Sequence, residues 1–529
     1  MKPLAARITD NTPAARARWY RYQDSVLAEL RAIDAATLAG TPEWITYGIL
    51  LNNLETSIGN RVCRSELWAV NSYVNGWQNA YAGVFSQQRV GTPERRQAAL
   101  ARAKAFPRYL ENEIANLREG KRLGYMSPAV IVRNVIRQVD DLTSGEATSS
   151  PFYSPAERDT SRAEDAVAFR SHLASEITNG INPAIRRYRD YLVREYLPGA
   201  REDIAVSGIP RGRECYAAQL RSFSTTSVSP DSVFELGVRE MRRIDAEMKQ
   251  IAREHFGTED VASLLDRFPS DPRYTFRTRQ AVIDTSDAAI ARAKAEMPKW
   301  FGLVPAFDVV IEPYPEFRQR AGAPGQLMVG APNDRPSVFL INTWEPEKKS
   351  RSTNEAVAFH EAIPGHHLQT GIAVGMKNLH PLVREAFSSG FGEGWALYAE
   401  RLADEMGLYS SPLARMGLLE SEAHRAARCL IDAGIHTRGW TRQQAVDTLA
   451  AHTTMDRAIV EGEIDRYISW PGQAPSYMIG RNEIFRLRQL AKDSLGDRFD
   501  IRQFHDRVLE NGTVTLPMLG ANILRWIGK

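Results

Sequence analysis

The tightest constraint on this chain is a proline four residues after a histidine. Residues 359–369 read Phe-His-Glu-Ala-Ile-Pro-Gly-His-His-Leu-Gln. A His-Glu pair followed by further histidines is a pattern in which neutral imidazoles hold Zn2+ and the carboxylate takes a proton from water at the metal. In the usual H-E-x-x-H helix the two imidazoles are four residues apart, about 40° round the axis and about 6 Å along it. Here that fourth position is Pro364, and the next histidines are His366 and His367. On an unbroken helix His366 would lie roughly 240° from His360, and His367 would regain the same face about 10 Å along the axis. Pro364 has no N–H for the His360 carbonyl and its ring crowds the preceding turn, while Gly365 opens backbone angles closed to other residues. The helix is therefore expected to bulge at 364–365. Two looped-out residues would bring His366 round to the place of the second ligand, with His367 as the alternative.

A hydrolytic zinc site of this kind takes two histidines and a carboxylate, leaving one position open. Glu393, flanked by Gly392 and Gly394, is the candidate on a second helix. Glu400 lies seven residues on, on roughly the same helical face; it is read as a supporting or structural carboxylate, or as the ligand in place of Glu393. Glu361, adjacent to His360, is placed to act as general base.

The two segments 360–369 and 393–400 (Glu-Gly-Trp-Ala-Leu-Tyr-Ala-Glu) resemble the bacterial domain-of-unknown-function family 885. That family is similar to the helical zinc peptidases typified by neurolysin and angiotensin-converting enzyme. The likeness extends over 196–237, the Phe-Leu-Ile-Asn-Thr stretch ending at Thr343, 425–436, 470–480 and 504–509. In the family the position of His366 is histidine and the next can be tyrosine, which supports His366 as ligand, and the family's metal-binding glutamate falls on Glu393. The resemblance implies one Zn2+ per chain on His360, His366 and Glu393. It implies a mainly α, two-lobed, zinc-peptidase-like body with a small β-sheet beside the active-site cleft. By the same likeness Tyr477 and His436 are candidates to stabilise an oxyanion. Asp432, four residues before His436, could orient that imidazole, or the two could be a buried structural pair. Arg466 could bind a substrate carboxylate, or be an ordinary salt-bridged arginine. The strand 338–342, ending at Asn342, could add substrate backbone to a sheet edge.

The rest of the sequence sets bounds. The formal net charge is +3, too balanced to imply nucleic acid or an anionic membrane as partner. No apolar run approaches the roughly 18 residues of a spanning helix. The three cysteines, Cys63, Cys215 and Cys429, are scattered and odd in number, and are expected to build neither a disulfide framework nor a zinc site. The N-terminal residues carry no apolar signal core; the expected compartment is periplasmic if a signal was removed and cytoplasmic otherwise. Thr92-Pro93-Glu94 and Ser229-Pro230-Asp231 each open a helix with a cap and a first-turn proline. The first is expected to be interrupted at Pro107, and 143–162 to be a surface loop. Strands are expected at 307–313 and 338–342. This gives an N-terminal helical lobe, 1–270, and a catalytic lobe, 271–529, which could share a core. Three classes compete: a zinc peptidase acting on short peptides; a zinc hydrolase or lyase acting on a non-peptide amide; and a helical binding protein with a silent site.

Overall fold

The computed structural model describes residues 4–319, 323–332, 334–384 and 386–529. Helices build most of it, and their ends follow the capping chemistry of the sequence. Helix α1 (Pro93–Arg122) starts where Thr92 accepts from the Arg95 N–H, and α2 (Pro230–Phe256) where Ser229 accepts from Ser232. Gly257, at φ +67°, closes α2 in the left-handed conformation that glycine adopts without steric cost. Then come α3 (Arg279–Trp300), strands β1 (Val309–Pro313), β2 (Gly325–Met328) and β3 (Ser337–Ile341), and helices α4 (Asn354–Glu361) and α5 (His366–Gly375). They are followed by α6 (Ser389–Glu405), α7 (Pro412–Arg438), α8 (Ser476–Leu495) and α9 (Ile501–Leu509). Among the described residues no helix is long and apolar enough to cross a membrane.

Packing divides the chain into two compact units. One comprises Met1–Val26, Asn60–Tyr216 and Asp465–Trp470; the other Leu27–Gly59, Ala217–Ile464 and Pro471–Lys529. Neither is one continuous half of the chain. In the first unit α1 is the central helix, with Phe106 and Leu110 buried among Trp77, Phe85, Phe152 and Tyr188. Pro107 does not interrupt α1, contrary to the expectation: its neighbours in the apolar core hold the turn that the missing N–H weakens. The stretch 143–162 is not a plain surface loop either. It holds short helical turns and buries Phe152. Nor are all three cysteines unpaired: Cys63 and Cys215 form a disulfide, 152 residues apart in sequence, while Cys429 is free and buried. A single bridge across so long a span has no spacing signature for a sequence to show.

In the second unit α2 packs along α7 and α6 along α8. The sheet has the order β1–β3–β2, with β1 parallel and β2 antiparallel to β3. The strands expected at 307–313 and 338–342 are β1 and β3. β2 was not foreseen, because Gly-Gln-Leu-Met carries no β-rich run. Its pairing makes β3 the central strand, so the expected addition of substrate at the edge of 338–342 is not open; the free edge near α4 belongs to β2.

A buried ionic knot ties four helices of this unit. Glu422 of α7, wholly buried, accepts from Arg243 of α2 at 2.8 Å, Arg481 of α8 at 2.8 Å and Arg401 of α6 at 2.9 Å. Glu247 and Glu240 of α2 balance the remaining charge on Arg401 and Arg481, at 2.9 and 3.2 Å. Burial alone would raise the Glu422 pKa, but the three guanidinium groups hold it far below the usual carboxylate range. Breaking such a network leaves buried charge uncompensated. Glu422→Gln is expected to cost about 3–5 kcal/mol at pH 7 in denaturant unfolding. Because the folded pKa is depressed, the ionised group's contribution is complete above the unfolded value. The deficit should therefore narrow as pH falls below about 4. An unchanged unfolding midpoint at pH 7 would show that the knot does not hold the helices.

Candidate metal centre

The first histidine is placed by a well-braced short helix. Gly417 of α7 lets the chain before α4 lie against it, since a Cβ there would be 1.9 Å from the Ser352 carbonyl oxygen. Ser352 donates to the buried Glu420 at 3.0 Å, and Asn354 accepts from Ser286 of α3 at 3.0 Å. Glu355 pairs with Arg292 of α3 at 2.9 Å. This bracing sets the direction of α4, and with it the direction of His360.

The break after α4 is larger than the expected two-residue bulge. The helix ends at Glu361, residues 362–365 form a turn with a cis Ile363–Pro364 bond, and helix resumes at His366. A Cβ on residue 365 would lie 1.9 Å from the His360 oxygen and 2.3 Å from the Phe359 oxygen, so only glycine fits. The indole N–H of Trp395 donates to the Pro364 oxygen at 3.0 Å, closing the turn against α6. The rings of His360 and His366 meet edge to face, centroids 4.8 Å apart.

Glu393 of α6 completes the group. Its Oε2 is 3.6 Å from His360 Nε2 and 3.4 Å from His366 Nε2, and the three ligand atoms all lie within 4.8 Å of one another. Tetrahedral zinc bonded at about 2.0–2.2 Å needs ligand atoms roughly 3.3 Å apart, so these residues fit such an ion. Among the described residues this is the group of His, Cys, Asp and Glu side chains that could hold a metal. Its electrostatics favour positive charge. Burial works against a charge on His360, but Glu393 and Glu400 outweigh it and hold its pKa up at about 9. Burial likewise opposes ionisation of Glu393, yet His360 and His366 keep it well below the ordinary range.

Glu400, wholly buried two turns further along α6, accepts from His360 Nδ1 at 2.7 Å. It is thus behind the imidazole rather than beside Glu393, the arrangement that fixes a ligand's tautomer and leaves Nε2 for the metal. Behind Glu400 lies Arg425, at 3.9 Å, the first residue of the family-like segment 425–436 and one assigned no role from sequence. Glu361 turns to the sheet, its Oε2 accepting from the Leu327 N–H of β2 at 2.9 Å. His367 points elsewhere: it is buried against Phe307, and burial pushes its pKa down to about 4.

The other candidates are placed less directly. Tyr477, in the first turn of α8, stacks under Arg428 at 4.4 Å with Arg425 at 6.0 Å. His436 is wholly buried on α7 with Asp432, 3.9 Å away, whose other oxygen accepts from the Gly472 N–H at 3.0 Å. Those contacts fit the structural alternative. Asn342 is buried and its side chain ties the exit of β3, donating to Gln319 O at 2.8 Å and accepting from Lys349 at 2.7 Å. Arg466 belongs to the first unit, where its guanidinium lies over the rings of Tyr73 and Tyr467. His505 packs inside this unit, with Nε2 2.8 Å from the Tyr398 hydroxyl.

The geometry separates the two adjacent histidines experimentally. His360→Ala, His366→Ala and Glu393→Ala should each abolish or greatly weaken zinc retention, and His367→Ala should leave it near one per chain by elemental analysis. Glu400→Gln should weaken zinc binding by about 10–100-fold, the usual cost of losing a carboxylate behind a histidine ligand. Full zinc in His366→Ala would refute the assignment.

Two solved structures share the fold. A "putative lipoprotein" from Colwellia psychrerythraea superposes with a TM-score of 0.89 at 24% identity, over 99% of this chain and 93% of its own. A "putative lipoprotein of unknown function" from Shewanella oneidensis gives 0.79 at 18% identity, over 98% and 94%. No curated protein matches the chain. The model of the family described as bacterial protein of unknown function (DUF885) matches residues 2–523, and the chain belongs to that family.

Proposed function

We propose that the protein is a zinc-dependent hydrolase that cleaves amide bonds of short peptides. The observation that carries this is the convergence of His360, His366 and Glu393 at zinc-like separations, with Glu361 next to His360 and left out of the ligand set. Zinc held there supplies Lewis acidity, which makes water nucleophilic near neutral pH and polarises a carbonyl. Glu361 takes the proton from the attacking water and passes it to the leaving amine. Glu400 keeps His360 in the tautomer whose Nε2 faces the ligand group. Tyr477 is the proposed hydroxyl donor to the oxyanion; its helix, α8, is pressed against that of Glu393. A peptide is favoured over another amide by the resemblance that segments 360–369 and 393–400 carry, through their family, to the helical zinc peptidases. The finer reading of the fold, a two-lobed body of the helical zinc-peptidase type, belongs to the same proposal.

The test is a mixed-sequence peptide library incubated with zinc-loaded protein. Cleavage is expected, and Glu361→Gln should keep its zinc while losing at least about a hundredfold in turnover. An intact library alongside turnover of a non-peptide amide would move the assignment to the second class of hydrolase. Wild-type turnover in Glu361→Gln would remove its role as base.

The reading extends to compartment. A buried disulfide between Cys63 and Cys215 fits an oxidising environment, and we propose the periplasm. Mass spectrometry of non-reduced protein from the native cell should find one bridge and a free Cys429. Three free thiols there would exclude the proposal.

A further inference from the structure

The contact between Glu361 and β2 is more specific than packing requires. The Asn342 N–H bonds the Pro324 carbonyl at 3.0 Å across the β2–β3 pair. Antiparallel pairing alternates along a strand, so Gln326 and Met328 also face β3, whereas Gly325 and Leu327 turn their N–H and C=O groups to the free edge. At that edge the Leu327 N–H is donated to Glu361 Oε2 at 2.9 Å. Gly325 lets α4 approach this closely: a Cβ there would be 2.8 Å from Val357 and 3.3 Å from Glu361 Cγ. Glu361 is also the last residue of α4, so no following turn of helix restrains its side chain. A carboxylate in that position would sample several rotamers unless a partner held it. A main-chain donor in a three-stranded sheet is a fixed partner, and it binds one oxygen while leaving the other to exchange a proton.

We infer that the main-chain N–H of Leu327 is the positioning group of Glu361, holding Oε2 so that Oε1 is presented in one direction for proton transfer. The inference rests on the hydrolase reading above for the role of Glu361. It does not rest on that reading for the bond itself. It gives β2 a part in the chemistry that its side chains do not play: what matters at position 327 is the N–H, not the leucine.

That distinction makes the inference testable. Leu327→Pro deletes the donor at an outward-facing position of an edge strand, where proline is tolerated, and Leu327→Ala keeps it. Leu327→Pro is expected to retain zinc and a KM within about twofold of wild type. Its kcat should fall at least about tenfold, the scale of loss when a catalytic group is misplaced. Leu327→Ala should stay near wild type. Adding Leu327→Pro to Glu361→Gln should cost nothing further, since both act on one step. Independently of turnover, hydrogen exchange at the Leu327 amide should be slow in the wild type and at least about tenfold faster in Glu361→Ala. Exchange unaltered by Glu361→Ala would overturn the inference, as would a Leu327→Pro enzyme with wild-type kcat. If the wild type turns over no amide at all, the hydrolase reading falls and takes this one with it. An active wild type with an equally active Leu327→Pro removes this inference alone.

Discussion

The bond from the Trp395 indole to the Pro364 carbonyl is the interaction on which the candidate metal centre depends. Trp395 is two residues beyond Glu393 on α6, and Pro364 lies in the turn between the two histidines, so one hydrogen bond of 3.0 Å locks all three ligands into one frame. The indole is wholly buried, and without its N–H the carbonyl would be left unsatisfied, at a cost of about 1–3 kcal/mol. The ring is itself wedged edge-on against Phe301 and His505, which stack on each other. His505 is fixed in turn by the Trp300 carbonyl at 2.8 Å and the Tyr398 hydroxyl. Burial holds its pKa down at about 3, so this imidazole stays neutral and serves as a rigid spacer. The aromatic wedge thus explains why a proline-broken segment keeps one geometry.

Glycines decide how closely the two helices beneath the site approach. A Cβ on Gly394 of α6 would be 2.6 Å from the backbone of Gly480 on α8, and one on Gly480 would be 1.7 Å from the Gly390 oxygen. Gly390 and Gly394 are one turn apart and face α8, while Glu393 and Glu400 present a different face to the histidines. Arg401, next along, enters the knot around Glu422. One helix therefore carries close contact on one face, ligand and support on another, and an ionic anchor at its far end. Little freedom is left for Glu393 to move without unpacking the unit.

Much of this was legible because short-range chemistry is written locally. Caps at Thr92 and Ser229, the choice of His366 over His367 as the histidine that faces Glu393, and the strands at 307–313 and 338–342 all rest on a few adjacent residues. What was not legible depends on contacts distant in sequence. The pairing of Cys63 with Cys215 spans 152 residues. β2 is a strand because β3 lies beside it, not because Gly-Gln-Leu-Met prefers to be one. Pro107 stays helical because the core around Phe106 overrides a local penalty. The four-residue turn at 362–365 was underestimated for the same reason: proline and glycine announce a break, but the carbonyl acceptors for Trp395 set its size.

The three glutamates around His360 show how environment assigns different work to one side chain. Glu393 meets two imidazole nitrogens and is held ionised by them, which suits a ligand. Glu400 has no solvent exposure and lies between His360 and Arg425, which suits a supporting residue. Glu361 is part-exposed and touches one main-chain N–H, which suits a group that must gain and lose a proton. The difference follows from burial and partners: His360 of α4 is shared by Glu393 and Glu400, while α5 adds His366 to the first, α7 adds Arg425 to the second, and β2 supplies the N–H that Glu361 accepts.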